Sequence, residues 1–134
     1  MRILVDSSVW IDFLNGHASS EEKRLVALLG GDDDLCTCGL VVTEVLQGLR
    51  RDGSYPEAVA LFSDLTFLET AGIAPYLKAA ELFRRLRDRG VAIRSAADCI
   101  IATIAEAHGC WLLARDRDLE VIAESGLVQT GLLS

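Results

Sequence analysis

Four short apolar segments, RILV, DLCTC, TFLET and CWLLA, recur along the chain, and at least one helix-length stretch separates each from the next. Segments this short suit strands, while the stretches between them repeat their apolar residues at helical spacing. Strands joined through helices lie parallel, because an antiparallel pair would need only a tight turn. The pattern predicts an α/β fold: an α/β/α sandwich with a mainly parallel sheet of four to five short strands, the weak fifth falling in LVQT.

Helix boundaries are marked locally. Ser8 is placed to cap a helix carrying Val9, Trp10, Phe13 and Leu14, with Gly16 as its stop. Ser19 and Glu22 have capping-box spacing, Pro75 opens an amphipathic helix that Gly90 ends, and Ser95 and Gly109 bracket another. A chain of 134 residues, 51% hydrophobic and without repeats or linkers, supplies one core, so a single domain is expected over 1-134. No apolar run approaches the roughly 20 residues that span a bilayer, and no basic segment leads into a long apolar one at the N-terminus. A cytoplasmic protein with no membrane partner is expected. Cys36 and Cys38 are expected on one strand face, and with no histidine nearby in sequence and no second cysteine pair they read as small buried thiols rather than a zinc site.

Strand ends in a parallel sheet meet along its carboxyl edge. Asp6 follows the first strand, Glu44 sits early in the helix after the second, Asp98 lies in the first turn of the helix before the fourth, and Asp116 follows the fourth. Acids far apart in sequence are thereby expected to converge on one crevice. Taken singly, each has a structural use: Asp6 in a turn, Asp98 at the capping offset from Ser95, Asp116 and Asp118 as helix-entry residues, with Asp118 the better placed to cap a helix beginning at Leu119. Glu44 resists such an account, since it interrupts an apolar helix face with no basic residue three or four positions away. Gly48, one turn on, marks a place where something approaches closely. Two carboxylates about 6 Å apart at an effective dielectric near 20 repel by roughly 3 kcal/mol, so four in one pocket take up protons or hold a cation. An all-oxygen set without His or Cys favours Mg2+ or Mn2+ over zinc.

The formal charge of −7, from 13 basic and 20 acidic residues, argues against a polyanion partner unless acids are gathered on a cation. Setting four acids aside leaves 13 against 16, or −3. Arg94, Arg115 and Arg117 border the expected crevice and suit phosphates, whereas Arg84 and Arg85 read as a solvated helix face.

LVDSSVWID with Asp6, VVTEVLQG with Glu44, SAADCIIATIAEAHG with Asp98 and LLARDRDL with Asp116 resemble, in order and over nearly the whole chain, the motifs of PIN-domain ribonucleases, especially the toxins of VapBC-type toxin–antitoxin pairs. The resemblance implies a PIN-like domain and a metal-dependent endoribonuclease in which Asp6, Glu44, Asp98 and Asp116 ligate one or two Mg2+ or Mn2+ ions, one activating a water and the other stabilising the departing sugar oxygen. It further implies an RNA substrate, a homodimer and a small antitoxin that blocks the acidic cleft. The family often has Ser or Thr two residues before its fourth acid. Here that place is Ala114, which leaves Ser8 as the hydroxyl support and Asp118 as a substitute or neighbouring ligand.

Other readings fit less well. Phosphoryl transfer through an aspartyl intermediate lacks a second acid two residues after Asp6, where Ser8 stands, and nucleotide binding lacks a glycine-rich phosphate loop. The remaining alternative is a catalytically inactive PIN-like interaction module, which has no reason to keep four acids.

Overall fold

The structure is a computed structural model that describes residues 1–50 and 52–133. Its elements are β1 (Arg2–Val5), α1 (Ser7–Asn15), α2 (Ser20–Leu29), β2 (Asp34–Thr37), α3 (Gly39–Gln47), α4 (Ser54–Ser63), β3 (Thr66–Phe67), α5 (Ala74–Asp88), α6 (Ala96–Ala107), β4 (Trp111–Leu113) and α7 (Arg117–Glu124). The strands pair in parallel in the order β3-β2-β1-β4. Central β1 sets Ile3 opposite Leu35 on one side and Trp111 on the other. Successive strand side chains point to opposite faces, and Ile3, Leu4 and Val5 are all fully buried, so helices cover both faces in three layers.

The strand order positions the site. The chain lays β1, β2 and β3 outward in one direction, then returns to set β4 against the free side of β1. The reversal between β1 and β4 is the switch point, at whose carboxyl ends open α/β sheets hold their ligands.

Local signals account for most helix ends. Gly16 closes α1 at φ 72°, a left-handed conformation that glycine adopts without steric strain. At the start of α2 the Glu22 N–H donates to Ser19 Oγ at 3.0 Å, and at α6 the Ala97 N–H donates to Ser95 Oγ at 3.1 Å. Trp10 anchors the core, fully buried and edge-on to Phe62 at 5.4 Å and Phe13 at 6.2 Å. Among the described residues no helix is long and apolar enough to cross a membrane.

Three boundaries differ from expectation. Helix α1 begins at Ser7 and its cap is Asp6, two residues before the expected cap at Ser8. Cys38 lies beyond β2 and starts α3, so it does not share a strand with Cys36; all four cysteines are free and buried. The fifth pairing falls at Leu132 rather than in LVQT. Leu132 bridges in parallel to Leu112, with the Leu112 N–H donating to the Gly131 carbonyl and the Leu133 N–H to the Leu112 carbonyl, both at 2.8 Å. The Trp111 ring lies so close over Gly131 that a Cβ there would sit 2.5 Å from Cζ3, and this glycine therefore decides which residues can reach β4.

Candidate active site

Asp6 leaves β1 at the switch point. Its N–H still extends the sheet by donating to the Leu113 carbonyl at 2.8 Å, so the residue stays tied to β4. Its Oδ2 accepts the Ser8 N–H at 3.1 Å and the Ser8 hydroxyl at 2.6 Å. Burial at 3% exposure raises the pKa of this carboxyl most, the Ser8 donors pull it down, and Asp116 pushes it up, with a net upward shift.

Glu44, half-buried in α3, accepts the Ser7 hydroxyl at 3.2 Å. Burial and then repulsion from Asp6 hold its pKa above the ordinary carboxylate value. Gly48 supplies the close approach that the sequence foreshadows: a Cβ there would lie 3.2 Å from Ile11 Cδ1 and 3.1 Å from the Glu44 carbonyl. What comes close is α1 itself, and its packing against α3 brings Ser7 to Glu44.

Asp98 occupies the first turn of α6, and its carboxyl is pushed up to about 7 by burial first, then by Asp116, Asp6, Asp118 and Glu44 in that order. Acids from five positions therefore act on one another. Asp98, Asp116 and Asp118 form the tightest group, each bringing a carboxylate oxygen within 4.8 Å of the other two.

Within that group the helix cap is Asp116, not Asp118 as expected. Helix α7 begins at Arg117 rather than Leu119, which moves the cap to Asp116, whose Oδ1 accepts the Leu119 N–H at 3.1 Å. Asp118 is buried in the first turn, and its Oδ2 accepts both the Arg94 main-chain N–H and Nε at 3.1 Å. Burial opposes its ionisation, but the Arg94 donors prevail and hold it below the usual carboxylate range.

Two of the three arginines expected at phosphates are committed to carboxylates, Arg94 to Asp118 and Arg115 to Asp12. Both side chains keep exposed surface, 77% and 47% respectively, and Arg117 is exposed. Arg94 and Arg117 border a groove of about 600 Å³ that reaches Asp118. A larger groove of about 890 Å³, between α2 and α7, contains none of the five acids.

Neither Ser7 nor Asp12 is among the residues expected at the site. Asp12 carries the same signal that singles out Glu44, an acid within an apolar stripe, here VWIDFL, with no basic residue three or four positions away. Its partner Arg115 lies 103 residues on, beyond any local pattern.

The family model described as PIN domain matches residues 3–125. The chain belongs to the PIN domain family. As a PIN domain it is 30% identical over 122 residues to Ribonuclease VapC11 of Mycobacterium tuberculosis, covering 90% of this chain and 91% of that protein, and to the same extent to VapC ribonuclease Mb1587 of Mycobacterium bovis. The PIN fold also superposes on VapBC2 from Rickettsia felis bound to a DNA fragment from its promoter, with a TM-score of 0.74, 16% identity and full coverage of both chains. VapBC-1 from nontypeable Haemophilus influenzae gives 0.71 at 17% identity over 98% of each chain. VapC20 of Mycobacterium tuberculosis, a toxin that cleaves the sarcin-ricin loop, gives 0.64 at 19% identity over 94% of this chain and 96% of its own.

Proposed function

We propose that this PIN domain is an endoribonuclease dependent on Mg2+ or Mn2+ and acts as the toxin of a toxin–antitoxin pair. The observation that carries the reading is the cluster of Asp98, Asp116 and Asp118, with Asp6 at the end of β1 and Glu44 near enough to act on the Asp98 carboxyl, which is pushed up to about 7. A pocket with that surplus of negative charge and only carboxylate oxygens as donors fits a hard divalent cation. Such an ion, when bound, supplies Lewis-acid activation of water and neutralises charge developing at phosphorus.

Asp6, Glu44, Asp98 and Asp116 would hold the ion, and Asp118, paired with Arg94, shares the 4.8 Å cluster with Asp98 and Asp116. The Ser8 hydroxyl favours the charged form of Asp6, and Ser7 does the same for Glu44. Burial and the neighbouring acids favour the protonated form of Asp98, and a bound cation would favour its charged form. Arg117 and the exposed side of Arg94 line the groove beside the acids and hold phosphates of the RNA backbone.

The names of the relatives support the ribonuclease reading, and the VapBC complexes among the solved structures support an antitoxin partner. A homodimer and a cytoplasmic location belong to the same reading, and the four free thiols agree with a reducing compartment. The domain takes in the whole of 1-134, supported by the pairing of Gly131 and Leu133 with β4 beyond the matched stretch.

The test is cleavage of RNA by purified protein with Mg2+, with Mn2+ and with chelator, followed by mapping of the ends. Metal-dependent products with 5′-phosphates, lost in Asp6→Asn, are expected. Full cleavage by Asp6→Asn would overturn the assignment of the site.

A further inference from the structure

Asp12 is 5% exposed in the middle of α1, and burial opposes its ionisation. Three donors outweigh that burial. Arg115 Nε reaches Oδ2 at 2.7 Å, Arg115 Nη2 reaches Oδ1 at 2.8 Å, and the hydroxyl of Ser19, which caps α2, reaches Oδ2 at 3.0 Å. A buried pair of this kind is often no more stabilising than apolar side chains of the same volume. What it adds is direction, because a guanidinium forked onto both oxygens of a carboxylate has one orientation.

The residue so oriented sits between Ala114 and Asp116 in the loop from β4 to α7. Its main-chain N–H donates to the Ser8 Oγ at 3.1 Å, and that hydroxyl donates to Asp6 Oδ2 at 2.6 Å. A serine hydroxyl carries a single proton. With the Arg115 N–H on its acceptor side, that proton is aimed at Asp6. Arg115 is thus held at its side chain by Asp12 and at its backbone by the group touching Asp6, and the residue that follows it is Asp116.

We infer that Asp12 is a positioning residue for the acidic site, acting through Arg115 to set both the place of Asp116 and the direction of the Ser8 hydroxyl toward Asp6. The inference rests on the ribonuclease reading for its rate effects, but its metal-binding consequences stand apart from it.

The experiment measures Mn2+ affinity by titration calorimetry, RNA cleavage and thermal melting for wild type, Asp12→Asn, Arg115→Gln, Arg115→Lys and the double Asp12→Asn/Arg115→Gln. Each single variant is expected to weaken Mn2+ binding and lower kcat by about tenfold or more, as loss of an outer contact to a ligand does, with KM for RNA held within about twofold. Arg115→Lys keeps the charge and loses the fork, and should behave like Arg115→Gln. The double variant should be no worse than the weaker single, because both act through one residue. Should Arg115→Gln not fold, because it leaves the buried Asp12 carboxylate without its cation, Asp12→Asn decides, since the cation that it leaves behind, Arg115, is 47% exposed. A lowered melting temperature with wild-type Mn2+ affinity and kcat would mean a merely structural staple and overturn the inference, as would losses that add in the double variant. If wild type cleaves no RNA, the ribonuclease reading falls while the Mn2+ affinities still judge Asp12.

Discussion

Asp116 and Asp118 share a 4.8 Å cluster with Asp98, but among the described residues Asp118 is the one with a paired cation, taking two hydrogen bonds from Arg94, while Asp116 accepts a main-chain N–H from Leu119. Asp118 is buried, and its charge is offset by Arg94. Asp116 is half-buried, and its Oδ1 takes the Leu119 N–H. The two neighbours are therefore inequivalent, in a sense that separate substitutions expose.

Asp116→Asn keeps a good N-cap, so its stability should stay within about 0.5 kcal/mol of wild type while RNA cleavage falls below detection. Asp118→Asn should cost about 1 kcal/mol as charge-assisted bonds from Arg94 weaken, and should leave measurable metal-dependent cleavage. Urea denaturation and a cleavage assay on the same preparations check both. Cleavage surviving in the Asp116 variant and vanishing in the Asp118 variant would reverse the assignment.

Stability without metal should fall as pH rises through neutrality. The folded pKa of Asp98, about 7, lies above its ordinary value of 3.8, so between them the folded protein keeps a proton that the unfolded chain has released, and raising pH removes stability. Asp6 and Glu44 shift in the same direction. Asp12, Asp34 and Asp118 shift downward, and what they contribute is lost only on acidification below about pH 4, outside this window. Thermal melts from about pH 5 to about pH 8 should show the decline, and excess Mg2+ should flatten it. A decline unaffected by Mg2+ would separate these carboxyls from the cation site.

Mg2+ or Mn2+ should raise the melting temperature at fixed pH, because a ligand at about 100 times its Kd adds roughly 2.7 kcal/mol to the folded state. Glu44→Gln removes one charged donor and should shrink the shift. Equal shifts in both proteins would place the ion elsewhere on the molecule.

Gly131→Ala should lower stability by about 1–3 kcal/mol, the range for overpacking against a rigid neighbour, since the new methyl would meet the Trp111 ring. Cleavage well below the melting temperature should persist, because none of the acids depends on this contact. Hydrogen exchange at the Leu112 and Leu133 amides gives the direct measure.

The parallel order, the helix starts at Ser19 and Ser95 and the stop at Gly16 are legible because each depends on residues a few positions apart. The same locality explains what is not. Asp6 and Ser8 are both good caps, as are Asp116 and Asp118, and which is used depends on where the helix starts within a residue or two, a matter settled by the Asp6 link to Leu113 and the Arg94 link to Asp118. The fork between Asp12 and Arg115 and the pairing of Leu132 with Leu112 join parts of the chain that no periodicity connects. Four carboxylates are foreseeable at one edge because the strand order carries them there; their partners are not.

The pairing of Gly131 and Leu133 with β4 has a consequence for how copies of this chain can meet. A sheet grows without limit only when two unlike borders are free, so that the β3 border of one copy joins the β4 border of the next. Among the described residues the β4 border is already occupied by the chain's own tail, and a copy meeting β3 finds only another β3 to pair with. Such an encounter is two-fold and ends after one step. Gly131, Leu132 and Leu133 act as a stopper against fibres, confining any union through the sheet to closed pairs.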